Sequence, residues 1–196
     1  MFFGIDLTYI YLVLPAVLFA LWAQFNVQST FSKYSKVQSR SGMTGYDSAR
    51  RILDANGLHN VGIARVSGNL TDHYNPKDNT IYLSDSVYGE TTAAAIGVAA
   101  HEAGHAVQHA VGYTPMKVRS AIIPVTQIGS NLAMPLFLLG IILSYPTLAM
   151  IGVIAFGAST LFQLVTLPVE FNASSRAMDA LRGYNRSRWR TYCGSF

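Results

Sequence analysis

The sequence predicts a mainly α membrane protein with a small α+β segment, built from about three transmembrane helices and a short β-hairpin beside a helix that carries the chemistry. Three observations predict it. Hydrophobic residues make up 51% of the 196 and charged residues only 12%, which is too apolar for an ordinary soluble domain. Three long stretches are apolar, and between the first and second lies a polar segment with strand-like and helix-like patterns. The net charge of +4 is spread along the chain without an aromatic and basic reading motif, which argues against nucleic acid as a partner. Cys193 is the single cysteine and forms no internal disulfide, so cysteine usage carries no compartment signal.

Residues 1–26 read as a transmembrane anchor, apolar from Leu7 to Ala23 and long enough to cross most of a hydrocarbon core. No Lys or Arg precedes it and Gln24-Phe25-Asn26 follows, the pattern of a retained anchor rather than a cleaved signal. Residues 27–117 form the polar unit. Its first part, with Lys33, Lys36, Arg40, Arg50 and Arg51, is a cytoplasmic flank. Thr44 and Asp47 resemble a capping box, and Gly57 is placed to stop a helix near 45–56. Val61 to Val66 and Thr80 to Leu83 read as the two strands of a small hairpin, separated by the turn formers of Asp72 to Asn79. Thr91 to Val111 is a helix with Thr91 or Thr92 as N-cap and Gly112 at its end.

Residues 118–168 hold the other two apolar stretches, about 121–143 and 148–167, joined by Ser144-Tyr145-Pro146-Thr147. They read as a transmembrane hairpin. Residues 169–196 begin another helix after a break at Pro168 and end in a basic tail with Arg182, Arg186, Arg188 and Arg190. Lys and Arg flank the central segment and the tail but not the N-terminus or the 144–147 turn. The expected orientation therefore has an outside N-terminus and both polar parts on the cytoplasmic side, in the inner membrane of a prokaryote.

The chemistry lies in HEAGH, residues 101–105. Two imidazoles four residues apart share one helical face and can reach one zinc ion, His101 and His105 being the ligands. Glu102 is the general base that takes a proton from the attacking water. Gly104 is costly inside a helix unless another element approaches it. A catalytic zinc takes a third protein ligand and keeps an open position. His109 lies about 12 Å from His101 on a straight helix, too far to share the metal, and reads instead as a residue that supports the site from behind or is simply exposed. Glu170 is better placed, because the membrane hairpin returns the chain to the side it left. Ser174, one turn later, can orient a ligand from behind. His73 is a candidate oxyanion stabiliser, with Tyr74, Tyr82 and Tyr88 competing for that role.

Together HEAGH, the upstream DHYNPKDNTIYLS and the downstream PVEFNAS resemble the membrane-bound neutral zinc metallopeptidases of the YugP type, over nearly the whole chain. The resemblance implies a zincin-like α+β segment and a gluzincin-like site, with His101, His105 and Glu170 on zinc and Glu102 catalytic. It also implies a peptide or protein substrate, with an edge strand, Thr80 to Leu83, holding the substrate backbone. Two departures stand out. Ser174 occupies the place of an aspartate found in broader membrane gluzincins, and the chain turns into RGYNRSRWRTYCGSF where the family usually continues with more helix. The expected function is a membrane-integrated zinc metallopeptidase, against two alternatives. One is an inactive, truncated zinc-binding membrane protein. The other is an intramembrane protease of the site-2 type, which lacks its aspartate ligand because no Asp lies between Asp85 and Asp179.

Overall fold

A computed structural model describes residues 7–193, with side chains described at Pro15 and over 18–183. Five helices and one small sheet make up this part of the chain. Helix α1 spans Leu7–Tyr34 and α2 Gly45–Ala55; strands β1 (Gly62–Val66), β2 (His73–Asn75) and β3 (Thr80–Ser84) follow, then α3 (Ala93–Ala110), α4 (Thr114–Ile142) and α5 (Pro146–Cys193).

Local sequence explains the ends of the short helices. Thr44 accepts a hydrogen bond from the backbone N–H of Asp47 at 3.1 Å, and Asp47 accepts one from the backbone N–H of Thr44 at 3.0 Å. This is a complete capping box, which satisfies two donors at the start of α2. The backbone hydrogen bond from Thr44 holds the Asp47 carboxyl below its ordinary range. Thr92, rather than Thr91, caps α3, its hydroxyl accepting from the backbone N–H of Ala95 at 3.2 Å. At the other end of α3, Gly112 adopts φ +68°, a left-handed conformation that glycine takes without a side-chain clash.

The strand pairing differs from the expected hairpin. Strands β1 and β3 are neighbours but run parallel, Gly62 opposite Thr80 and Val66 opposite Ser84. The antiparallel partner of β3 is β2, with His73 opposite Tyr82. The physical reason is the length of the connection. Residues 67–79 contain a third strand that makes the tight turn back, which lets β1 lie on the far side of β3 in the order β1-β3-β2. Strand β3 is therefore central and both its edges are paired, so the edge expected at Thr80 to Leu83 does not exist; β2 is the strand left at the edge beside it. Asp72 fixes the entry to β2, accepting from the backbone N–H of Ser84 at 2.7 Å and from its hydroxyl at 2.9 Å.

The core forms where α2, β3 and α3 meet the middle of α5. Ala49, Leu53, Ile81, Leu83, Ala99, Ala103 and Val169 are completely enclosed. The run of alanines on α3 keeps that helix thin, so three elements can pack around it.

Two helices among the described residues, Thr114–Ile142 and Pro146–Gly183, are long and apolar enough to cross a membrane. Three were expected. The third, Leu7 to Ala23, falls in α1, but most of its side chains lie outside the described residues, as do those of Arg186, Arg188 and Arg190 in the tail. Helices α4 and α5 pack together lengthwise through small residues: Ala133 and Gly140 are among the few buried positions of α4. Helix α5 runs without interruption through Pro168, so the break expected there is absent. A proline in a helix removes one backbone hydrogen bond, and here neighbouring packing at the enclosed Val169 carries the helix across it.

Removing the side chain of Leu53, enclosed between α2 and its neighbours, is expected to cost about 2–5 kcal/mol in the Leu53→Ala variant. Thermal unfolding in detergent checks this, with Met178→Ala, at a 49% exposed position, expected to change little.

Candidate metal centre

Helix α3 presents His101 and His105 one turn apart, and α5 crosses it at the same level. The crossing is possible because of Gly104. A Cβ atom there would stand 2.7 Å from the backbone oxygen of Ala173, closer than any real side chain tolerates. The element that approaches this glycine is thus the backbone of α5. Glu170 lies one turn before that contact.

The three donor atoms converge. Glu170 Oε2 lies 3.1 Å from His101 Nε2 and 3.4 Å from His105 Nε2, and the three ligand atoms all fall within 4.8 Å of one another. Tetrahedral zinc with ligands at about 2.0–2.1 Å places neighbouring donors about 3.3 Å apart. Two imidazole nitrogens and one carboxylate oxygen at these separations therefore fit a zinc ion, and the set leaves a fourth position open.

Each ligand is held from behind. Gln108, fully enclosed, donates its amide N–H groups to the backbone oxygen of Val169 at 2.8 Å and to Asn172 Oδ1 at 3.0 Å. Its Oε1 must therefore face His105 Nδ1, 3.0 Å away. That fixes the tautomer: Nδ1 carries the proton and donates, and Nε2 keeps its lone pair for the metal. Asn172 Oδ1 is anchored in turn by a hydrogen bond from Arg176 Nε at 2.8 Å. On His101, Nδ1 lies 3.2 Å from Ser174 Oγ, which orients the ring in the same sense. Arg119, from the start of α4, binds Glu170 Oε1 at 2.9 Å, leaving Oε2 turned toward the histidines.

The charges respond to this packing. The hydrogen bond that His101 donates to Glu170 raises His101 above the ordinary histidine range, against burial that lowers it. Glu102, 8% exposed, is pushed up by burial, while the adjacent His105 and His101 pull it down. No side chain among the described residues hydrogen-bonds its carboxylate, which leaves it free to accept a proton.

The remaining candidates lie elsewhere. His109 is exposed and turned toward the sheet, its Nδ1 2.8 Å from Tyr74 Oη. Tyr74 donates to Asn79 Oδ1 at 2.8 Å, and burial raises its hydroxyl pKa to about 12. His73 is exposed, donates from Nδ1 to the Thr71 carbonyl at 2.9 Å, and stacks on Tyr82 with ring centroids 5.0 Å apart. The structure brings together His101, His105, Glu170 and Ser174, and among the described residues no hydrogen bond joins His73 or His109 to them. Sequence reasoning missed Gln108, Arg119 and Asn172. The spacing His105 to Gln108, one turn on the same helix, was a signal for the first. Nothing local marks the other two, whose roles depend on how α4 and α5 pack.

A model of the family described as "Putative neutral zinc metallopeptidase" matches residues 9–191. The chain belongs to that family. It is 50% identical over 169 residues, covering 86% of this chain and 75% of the relative, to a Bacillus subtilis (strain 168) protein named "Putative membrane protease YugP". No solved structure matches. Membership brings zinc as the metal of the family, and the donor set built from α3 and α5 can hold it.

Replacing Gln108 by Leu keeps its volume but frees His105 Nδ1 to lose its orientation. Zinc affinity, measured by competition with a chelator, is expected to fall about 10–100-fold, and Arg119→Gln is expected to fall in the same range. An unchanged affinity in both variants would show that the ligands do not need these supports.

Proposed function

We propose that the chain is a membrane-integrated zinc endopeptidase in which His101, His105 and Glu170 hold the metal and Glu102 is the general base. The observation that carries this reading is the pair of donor separations, 3.1 and 3.4 Å, in a family of zinc peptidases. Bound zinc supplies a Lewis acid that acidifies water and polarises the scissile carbonyl.

The chain's own groups do the rest. Glu102 stands next to His101 in sequence with an unpartnered carboxylate, and burial raises its basicity. It takes a proton from the water as the new C–O bond forms, then returns that proton to the leaving amine as the C–N bond breaks. Arg119 holds Glu170 Oε1, so that Oε2 would be the oxygen offered to a bound zinc. Strand β2 is the free sheet edge nearest α3 and can pair with an extended substrate backbone; Asp72, at its entry, is close enough for its charge to act on Glu102. Two long apolar helices and the name of the Bacillus relative support placement at a membrane. The basic residues of 27–117 support the cytoplasmic side.

Glu102→Gln is expected to retain zinc and lose proteolysis by about 10²–10⁴-fold. Glu170→Ala is expected to lose the metal itself. Metal content by atomic absorption, read beside cleavage of casein, checks both, and a Glu102→Gln protein that still cleaves at the wild-type rate would sink the mechanism.

A further inference from the structure

Below the metal centre, the packed pair of α4 and α5 leaves a gap along one stretch of its seam. A cleft of about 310 Å³ opens between them, lined by Arg119, Gln127, Ser130, Asn131, Gln163 and Thr166 among apolar neighbours. It starts at the metal centre, because Arg119 both lines it and binds Glu170 Oε1, and Thr166 is one turn before Glu170 on α5. From Arg119 to Asn131 it descends along α4 for about 18 Å. On each helix these residues recur at helical spacing beside Ile122, Ile123, Phe162 and Val165, so each helix gives the cleft a mainly apolar wall with polar groups set into it.

Among the described residues, the amides in this cleft have no partners. Thr166 satisfies its hydroxyl on the Gln163 carbonyl of its own helix at 2.7 Å. Gln127, Asn131 and Gln163 have exposed side chains and, among the described residues, make no hydrogen bond. In both candidate membrane helices such groups are costly against lipid, where nothing replaces the lost water. Surface amides elsewhere need no explanation, but three unpaired amides converging on one cleft between apolar helices do.

We propose that this cleft binds the membrane-spanning segment of a membrane-anchored protein substrate, whose polar groups pair with Gln127, Asn131 and Gln163 while its juxtamembrane stretch enters the His101, His105 and Glu170 cluster. The inference rests on the peptidase reading and names its substrate class. Side-chain amides offer donors and acceptors together, matching backbone or Ser, Thr, Asn and Gln groups of a transmembrane helix. A lipid phosphate would call for several cations, and the cleft has one, Arg119, whose Nη2 is on Glu170. A second copy seated there would cover the Arg119 side of the metal centre.

The test uses the full chain, zinc-loaded, in phospholipid nanodiscs. One probe is a casein segment fused to a single transmembrane helix of Leu and Ala with two Asn residues; the other is the same segment free. The wild type is expected to favour the anchored form, and the triple variant Gln127→Leu, Asn131→Leu and Gln163→Leu to lower the anchored-to-free ratio of kcat/KM about tenfold. These changes make the helices more apolar, so loss of folding does not imitate the effect. A ratio unchanged in the variant overturns the proposal. In parallel, Glu102→Gln protein with a benzophenone amino acid in place of Asn131 is expected to crosslink to the anchored probe. Crosslinking to a second copy instead, or to lipid alone, overturns it. This second arm needs no turnover, so if the wild type cleaves neither probe, the peptidase reading fails while the cleft is still decided.

Discussion

Everything functional in this chain depends on one close approach, the backbone of α5 at Ala173 lying against Gly104 of α3. Without a side chain at Gly104, two helices separated by some seventy residues of sequence come near enough for a glutamate of one to face two histidines of the other. The approach also explains why α3 is so rich in alanine. Ala99, Ala103 and Ala106 line the surface against which α2, the sheet and α5 pack, and bulkier residues would hold α5 away from the histidines. Gly104 costs the isolated helix about 1 kcal/mol relative to Ala, a cost accepted because only its absence of a Cβ permits the crossing.

The same crossing is sewn by polar contacts in an otherwise apolar core. Gln108 is fully enclosed, which is expensive for an amide unless each of its groups is satisfied. It is satisfied by His105, Val169 and Asn172 together, so the residue that sets the histidine tautomer also ties α3 to α5. Metal geometry and helix packing are thus one network, in which displacing a helix and misorienting a ligand are the same event. Arg119 extends that network to α4, so that all three of the long C-terminal elements meet at Glu170.

The histidine pair and the intervening glutamate were legible in the sequence because they depend only on helical periodicity, which is a local property. The capping box of α2 and the end of α3 at Gly112 were legible for the same reason. Glu170 was reachable by topology: a hairpin of two apolar helices returns the chain to its starting side, and few glutamates exist to choose from. The sheet was misread because alternation identifies strands but not their partners. Residues 73–75 are too short to announce themselves, yet their turn back onto β3 makes the β1 and β3 pair parallel. Pro168 was read as a break from a local rule that the packing of α5 overrides. Gln108 carried a faint signal, and Arg119 and Asn172 carried none, since each acts on a residue distant in the chain.

By itself the sequence determined a helix bearing two histidines one turn apart with a glutamate beside the first, set between long apolar segments, because side-chain spacing on a helix is dictated by 3.6 residues per turn. Only the tertiary structure decided that Glu170 meets that pair at zinc-compatible separations, that Gln108 orients His105, and that a cleft carrying three amides opens from Arg119 between α4 and α5. Those relations are distances between elements, and distances between elements are set by how closely Gly104 and the alanines of α3 let α5 approach.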